Sequence, residues 1–411
     1  MVENLTTTSF RATKRVGSIE YAIRDVIEFA KRLERKGKEI IYLNIGDPVK
    51  YDFETPNHVK EALCEAVYAG ANWYGPSEGL SELREAICNK ERRVNNIDLS
   101  PESVVVTTGV SEAIFMTLAA IIARGDEILV PGPTYPPYTA YAKFFEGVPV
   151  AYKTIEEEGW KPDVEDMRAR VSKRTKGVVI INPNNPCGAL YDEKTVKEII
   201  DLAAENDLLV LSDEIYDQIV FEEAFVSTAH VAEDYPIIGL NGFSKAYLVT
   251  GWRLGYFYFH DPEEKLEELK ISTLKESRIR LCTNTPVQKA GVAALNGPQE
   301  HIKKMVEKLR KRRDYAWKRL NEIEGISCTR PNAAFYVFPK IHDVGQRWKT
   351  DLEFVVDVLE KTGVLFVHGS GFCNTYGVGH MRGVFLPPIE FMEKAFSRLE
   401  RFMKVDSNSN L

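Results

Sequence analysis

Along the middle of the chain, short unbroken apolar runs alternate with longer stretches whose apolar residues recur at three- and four-residue spacing. SVVVTTG (103–109) leads into VSEAIFMTLAAIIA, and DEILVPGPTY (126–135) ends in a Gly/Pro turn. KGVVIINPNNPCG (176–188) repeats the design, and DLLVLSDEIYD (207–217) repeats it after the helical EKTVKEIIDLAAEN. PIIGLNGFSK (236–245) and RLGYFYF (253–259) follow. Val/Ile/Leu strands without polar alternation are strands covered on both faces. The pattern therefore predicts an α/β fold with a mostly parallel sheet flanked by helices. Beyond residue 300 the texture changes to a long amphipathic helix, GISCTR, AAFYVFPKI and a helix at 351–361. VLFVHGSGF, HMRGVFL and the helical IEFMEKAFSRLERFMK then follow. This reads as a smaller α+β domain. The expected division is a large domain over 57–290 and a small one built from 1–56 and 291–411.

A chain of 411 residues exceeds one ordinary core, which agrees with two domains. Hydrophobic residues at 44% against 27% charged describe a globular chain. With a net charge of −7 and no Lys/Arg stripe interleaved with aromatics, nucleic acid is not an expected partner. The densest basic run, KKMVEKLRKRRDYAWKRL (303–320), reads as the solvated face of an amphipathic helix. No apolar run approaches the ~20 residues of a membrane span, and MVENLTTTSFRATKRVG lacks an apolar signal core. Six widely spaced cysteines without a C-x-x-C pair suit a reducing compartment, so a cytoplasmic protein is expected. The seven histidines form no metal-ligand spacing, and no metal is expected.

The unusual polar residues gather at strand ends, where sheets of this kind bind ligands. In GLNGFSKAYLVTGWRLGY (239–256), Lys245 stands among small and apolar residues. Either its stem packs while its head reaches water, or its amine is desolvated and nucleophilic enough to form a Schiff base with a carbonyl. Asp213 follows the apolar LLVLS; it is a cap or structural ion pair, or the carboxylate that keeps a pyridine nitrogen protonated. Tyr216, three residues on, and Asn185 in the turn-like NPNNPCG are candidate donors to the phenolic oxygen of such a ring. Arg253 is suited to a phosphate. Gly109, Val110 and Ser111 sit where a strand becomes a helix, a common junction whose free N–H groups also bind phosphate.

SDEIY (212–216), NPNNPCG (182–188), SKAYLVTGWRLG (244–255) and GHMR (379–382), in this order, resemble the class I/II aminotransferases of pyridoxal-phosphate fold type I. The resemblance runs from LNIGDP (43–48) to Arg382. LNIGDPVKYDF, VPGPTYPPY, RIRLCTNTP and VLFVHGSGF are similar to the prokaryotic alanine aminotransferase branch. It implies a seven-stranded sheet in the large domain, with Lys245 as the Schiff-base lysine and Asp213 as the partner of the cofactor ring nitrogen. Tyr216 and Asn185 match the phenolic-oxygen ligands, and Arg253, Ser244, Ser111 and the Val110 N–H match the phosphate cup. Tyr135 matches a ring stacked on the pyridine, and Tyr74 matches a tyrosine reaching the neighbouring subunit's phosphate, which implies a homodimer with shared active sites. Arg382 matches the clamp on the substrate α-carboxylate, beside Asn185, and Gly46 lies where the backbone closes over the substrate.

The resemblance implies a ping-pong transamination between amino acids and 2-oxo acids, foremost L-alanine with 2-oxoglutarate. Aspartate or broad specificity, or a carbon–sulfur lyase, are the alternatives. Two positions depart from the pattern. Gly242 replaces a hydroxyl residue that would bind the phosphate, and Cys187 replaces a threonine, where packing is expected. Arg278 and Arg280 lie close to the region that recognises a distal carboxylate, and neither aligns cleanly with an aspartate-specific arginine.

Overall fold

The computed structural model describes residues 12–17, 19 and 21–407; the first eleven and last four residues, assigned above to the small domain, lie outside the described residues. A first short strand, β1 (Ile41–Tyr42), stands apart from the main sheet. That sheet holds β2 (Val104–Thr107), β3 (Glu127–Gly132), β4 (Val148–Ile155), β5 (Lys161–Pro162), β6 (Thr175–Ile181), β7 (Leu209–Asp213), β8 (Ile237–Gly242) and β9 (Gly255–His260). The spatial order is β2-β9-β8-β7-β6-β3-β4-β5. The pairs β4–β3, β3–β6, β6–β7 and β7–β8 are parallel. β9 runs antiparallel to both β8 and β2. The eighth strand, beyond the seven expected, is the two-residue β5 folded back on the end of β4. β4 carried no clear strand signal because its VPVAYKTI is mostly half-exposed, and its pattern mixes apolar and polar residues.

Strand residues alternate strictly between two apolar clusters. Val104, Val178, Val210, Ile237 and Tyr256 face one cluster. Their successors Val105, Val179, Leu211, Ile238 and Phe257 face the other. Both faces are therefore dry, as the unbroken apolar runs predict. Among the described residues, no helix is long and apolar enough to cross a membrane.

The C-terminal part adds β10 (Ile326–Ser327), β11 (Tyr336–Val337), β12 (Lys340–Ile341), β13 (Val364–Leu365), β14 (Val367–His368) and β15 (Met381–Val384). Strand β1 pairs with β13, which brings Ile41–Tyr42 into this part. The strands β11-β15-β14 form a small antiparallel sheet whose middle member carries Arg382. The helix Glu300–Asn321 corrects one expectation: its basic face is not wholly solvated. Arg313 is fully buried and Arg312 nearly so. Arg313 reaches Glu222 (2.7 Å) and the Pro331 carbonyl, while Arg312 reaches Asp52 (2.7 Å). These carboxylates lie far away in sequence, so helical periodicity gives no sign of them.

A second buried charge anchors the sheet edge nearest the site. Lys90 ends the helix Ser81–Lys90, and with Glu91 and Asp217 it is almost completely buried. Its amine donates to Glu91 (3.0 Å) and to Asp217. Asn95 and Asn241 donate to the same Asp217 oxygen at 3.0 and 2.9 Å, and the Tyr256 hydroxyl donates to Glu91. Burial opposes the charge on Lys90, but Asp217 and Glu91 outweigh it and raise the amine above the ordinary lysine range. Asn241 also accepts the Gly242 N–H (2.7 Å), which ties the network to the end of β8. Lys90→Met should strand two carboxylates in the core and lower stability by about 3–5 kcal/mol, read from chemical denaturation curves.

Candidate active site

At the carboxyl ends of the parallel strands lies a cavity of about 580 Å³. Each strand delivers one group. The helix Val110–Ile121 begins just beyond β2, β6 runs into the Asn185 turn, β7 ends on Asp213 and β8 leads to Ser244 and Lys245. Arg253 precedes β9, yet it reaches the same edge because β9 runs the opposite way. Arg382 and Tyr336 close the opposite wall from β15 and β11.

The anion end is built around bare backbone. Gly109 caps the helix at φ 76°, ψ 166°, a region essentially reserved for glycine. A Cβ there would run into the Arg253 guanidinium, whose Cζ would lie at 2.8 Å. Arg253 donates to the Thr250 carbonyl (3.1 Å), and no carboxylate of the described residues pairs with it. The first N–H groups of the adjoining helix lack intrahelical acceptors. Guanidinium, helix start and the Ser111 and Ser244 hydroxyls thus converge where an anion would sit.

Lys245 is half-buried, with its amine on the cavity and donating to the Gly46 carbonyl (2.7 Å). Desolvation lowers the amine to about 8; Asp47 and Asp213 oppose the shift, and Arg253 and Arg382 reinforce it. Asp213 is buried and accepts from the Tyr138 hydroxyl (2.9 Å) and the Ile215 N–H (3.3 Å). Desolvation raises its carboxyl to about 6, against those hydrogen bonds and the nearby Lys245 charge. Arg382 is buried and donates to Asn185 Oδ1 (3.0 Å) and to the Asn44 carbonyl. Its guanidinium lies 4.7 and 4.8 Å from the ring centroids of Tyr336 and Phe372, and its Nε–H has no hydrogen-bond partner among the described residues. The Tyr216 and Tyr336 hydroxyls meet at 2.7 Å, and those of Tyr21 and Tyr135 at 3.4 Å.

Lys245, Asp213, Tyr216, Asn185, Arg253, Ser244, Val110, Ser111, Tyr135, Arg382 and Gly46 all line this one cavity. Tyr74 does not; it stands 82% exposed on the outside of the chain. Gly242 lies opposite Gly255 in the β8–β9 pair, and a Cβ on it would lie 3.0 Å from the Gly255 Cα. A side chain at that position would need the facing backbone to give by a few tenths of an ångström. Cys187 is buried, and burial pushes its thiol well above the ordinary range. Arg280 is engaged within its own chain by Glu112 (3.1 Å), Thr283 and the Ser77 carbonyl, whereas Arg278 is exposed. Tyr21, Arg24, Asp47, Tyr138, Thr250 and Tyr336 were missed. Tyr21 and Tyr336 sit in stretches that carry only the signals of ordinary helix and strand, and Thr250 meets Asp47 (2.8 Å) across 203 positions.

A mostly parallel sheet presenting an amine, a buried carboxylate and an anion cup at its strand ends defines a pyridoxal-phosphate enzyme of fold type I. The pattern of the family described as Aminotransferase class I and II matches residues 38–382. The chain is 36% identical over 401 residues to the alanine aminotransferase of Mycobacterium tuberculosis, covering 96% of this chain and 93% of that one. It is 36% identical over 396 residues to the glutamate-pyruvate aminotransferase AlaA of Escherichia coli, covering 95% and 97%. The solved alanine aminotransferase from Pyrococcus furiosus superposes with a TM-score of 0.94 at 56% identity, over 96% of this chain and 100% of that one. The chain belongs to the class I and II aminotransferases, a family whose chemistry runs on pyridoxal phosphate.

Gly109→Ala should weaken pyridoxal phosphate binding roughly 5- to 150-fold, since relieving ~1–3 kcal/mol of backbone strain and the clash with Arg253 displaces the anion cup, and titration of the cofactor-free protein reads this. The Lys245 amine has a separate signature in the cofactor-free protein. Its folded value of about 8 lies below its unfolded one, so the unfolded chain binds more protons between the two. Stability from this group therefore rises with pH from about 8 toward the ordinary lysine value. Lys245→Met should be the more stable protein at neutral pH, with the difference shrinking across that window in denaturation curves.

Proposed function

We propose that this aminotransferase exchanges an amino group between L-alanine and 2-oxoglutarate, giving pyruvate and L-glutamate. The observation that carries the reading is a single cavity in which a lysine amine of lowered basicity lies between an anion cup and a buried arginine. The residues fit pyridoxal phosphate. Among the described residues, Gly109 leaves room beside an Arg253 that pairs with no carboxylate, and Arg382 keeps a buried Nε–H without a partner. The likeness to proteins named alanine aminotransferase supports the choice of amino donor.

Arg253, Ser244, Ser111 and the Val110 N–H would hold the phosphate, and Tyr135 would pack on the ring. Asp213 would keep the ring nitrogen protonated; Asn185 and Tyr216 would hold the phenolic oxygen. When bound, the cofactor supplies an electron sink for the charge left as the substrate α-proton departs. Arg382 clamps the α-carboxylate with charge-assisted hydrogen bonds, while the backbone at Gly46 covers the substrate. Lys245 accepts the α-proton, a role suited to an amine brought down to about 8, and returns it. A 2-oxo acid entering afterwards takes the same steps in reverse. Two copies share their sites in a homodimer, the partner subunit's Tyr74 completing the phosphate cup. Tyr68, Trp73, Tyr74, Ile279 and Leu281 are large apolar side chains left exposed and available to be buried in that way.

Adding L-alanine alone to the pyridoxal-phosphate-loaded protein should convert its absorbance to that of the amino form, and 2-oxoglutarate should restore it. Faster conversion by aspartate would move the amino donor, and pyruvate with ammonia released without any oxo acid would make the enzyme a lyase. Lys245→Ala should lower steady-state turnover by at least ~100-fold, the contribution of a positioned general base; near-normal turnover would remove Lys245 from that role.

A further inference from the structure

Among the described residues, Tyr138 is the one side chain that hydrogen-bonds to the Asp213 carboxylate, and the chemistry described so far does not use it. It lies on the helix Pro136–Phe144, three residues after Tyr135, which stands at the N-cap of that helix. Tyr135 lines the cavity, whereas Tyr138 is fully buried behind it. Its hydroxyl donates to Asp213 Oδ2 at 2.9 Å, and the Ile215 N–H reaches the other oxygen. No other hydrogen-bond partner of the Tyr138 hydroxyl exists among the described residues.

A carboxylate can accept about four hydrogen bonds. Here two donors fix its plane and leave acceptor capacity toward the cavity. We infer that Tyr138 is a positioning residue for Asp213: its hydroxyl holds one carboxylate oxygen and so directs the group at the cofactor ring nitrogen. The donation has a direction that matters. A phenol that donates stabilises the ionised carboxylate, and the apolar surroundings of Asp213 favour the neutral acid. Burial and hydrogen bonding pull the carboxyl opposite ways, burial prevailing. Without the phenol, the acid would hold its proton to higher pH, and a protonated Asp213 cannot keep the ring nitrogen charged. This inference rests on the pyridoxal phosphate site proposed above.

The test is Tyr138→Phe, which keeps the ring and removes only the hydroxyl. The readout is the dissociation constant of pyridoxal phosphate, measured by titrating cofactor-free protein across pH, together with the melting temperature. Affinity should fall about tenfold near neutrality, the loss expected of one hydrogen bond to a charged group. The acid limb of the binding curve should also move to higher pH. In an Asp213→Asn background the same change should leave affinity unaltered, since the hydroxyl acts through the carboxylate. A Tyr138→Phe binding curve that superimposes on the wild-type curve at every pH would overturn the inference, whatever happens to the melting temperature. An equal loss in the Asp213→Asn background would overturn it too. Should Tyr138→Phe not fold, Tyr138→His retains a ring and a donor; wild-type-like binding there supports the inference, and an unshifted acid limb with weakened binding overturns it. Failure of the unaltered protein to bind pyridoxal phosphate would instead defeat the site reading itself, which separates the two.

Discussion

Removing water from two groups of opposite charge, the Lys245 amine and the Asp213 carboxylate, is the constraint on which the site depends. Burial disfavours the charged form of each, so the amine becomes less basic and the carboxyl less acidic. Left alone, both groups would drift toward neutrality. The protein treats them differently. Asp213 receives two hydrogen bonds that support its charge, whereas at Lys245 burial is the largest effect, with Asp47 and Asp213 supporting the charge and Arg253 and Arg382 opposing it. One fold thereby keeps an acid ionisable and brings a base within reach of its neutral form.

The backbone makes this possible by bringing chain segments closer than side chains would allow. Gly242 faces Gly255 across β8 and β9, and a Cβ on Gly255 would lie 2.7 Å from the backbone of Gly109 and Val110. Strand end, strand start and helix start thus stack main chain on main chain. The glycine at position 242 suits that packing, since a Cβ there would crowd the Gly255 backbone. The antiparallel course of β9 completes the arrangement by returning Arg253 to the edge that the parallel strands have already populated.

Behind the site, charge is used as a fastener. Lys90 with Glu91 and Asp217 holds the end of β8, and Arg313 with Glu222 ties the long C-terminal helix to the segment following β7. Buried pairs of this kind add little net stability over apolar packing, but they tolerate only one geometry. Their value to a site assembled from nine separate chain segments is register. The same logic applies to Asp47 and Thr250, which join the Gly46 segment to the loop of Arg253.

The sequence by itself determined the layered α/β fold, because strands buried on both faces must be apolar throughout. It also determined the residues at the strand ends, because Lys245, Asp213, Asn185 and Arg253 each interrupt an apolar or turn context where a charge or amide is otherwise costly. Tyr138, Tyr336, Asp47 and the buried face of the arginine helix were not legible there. A tyrosine in a helix or an arginine on its polar side satisfies ordinary patterning, and nothing local distinguishes it. Only the tertiary structure decided their roles. Their partners lie tens to hundreds of positions away, and hydrogen bonds and ion pairs depend on distances that periodicity does not encode.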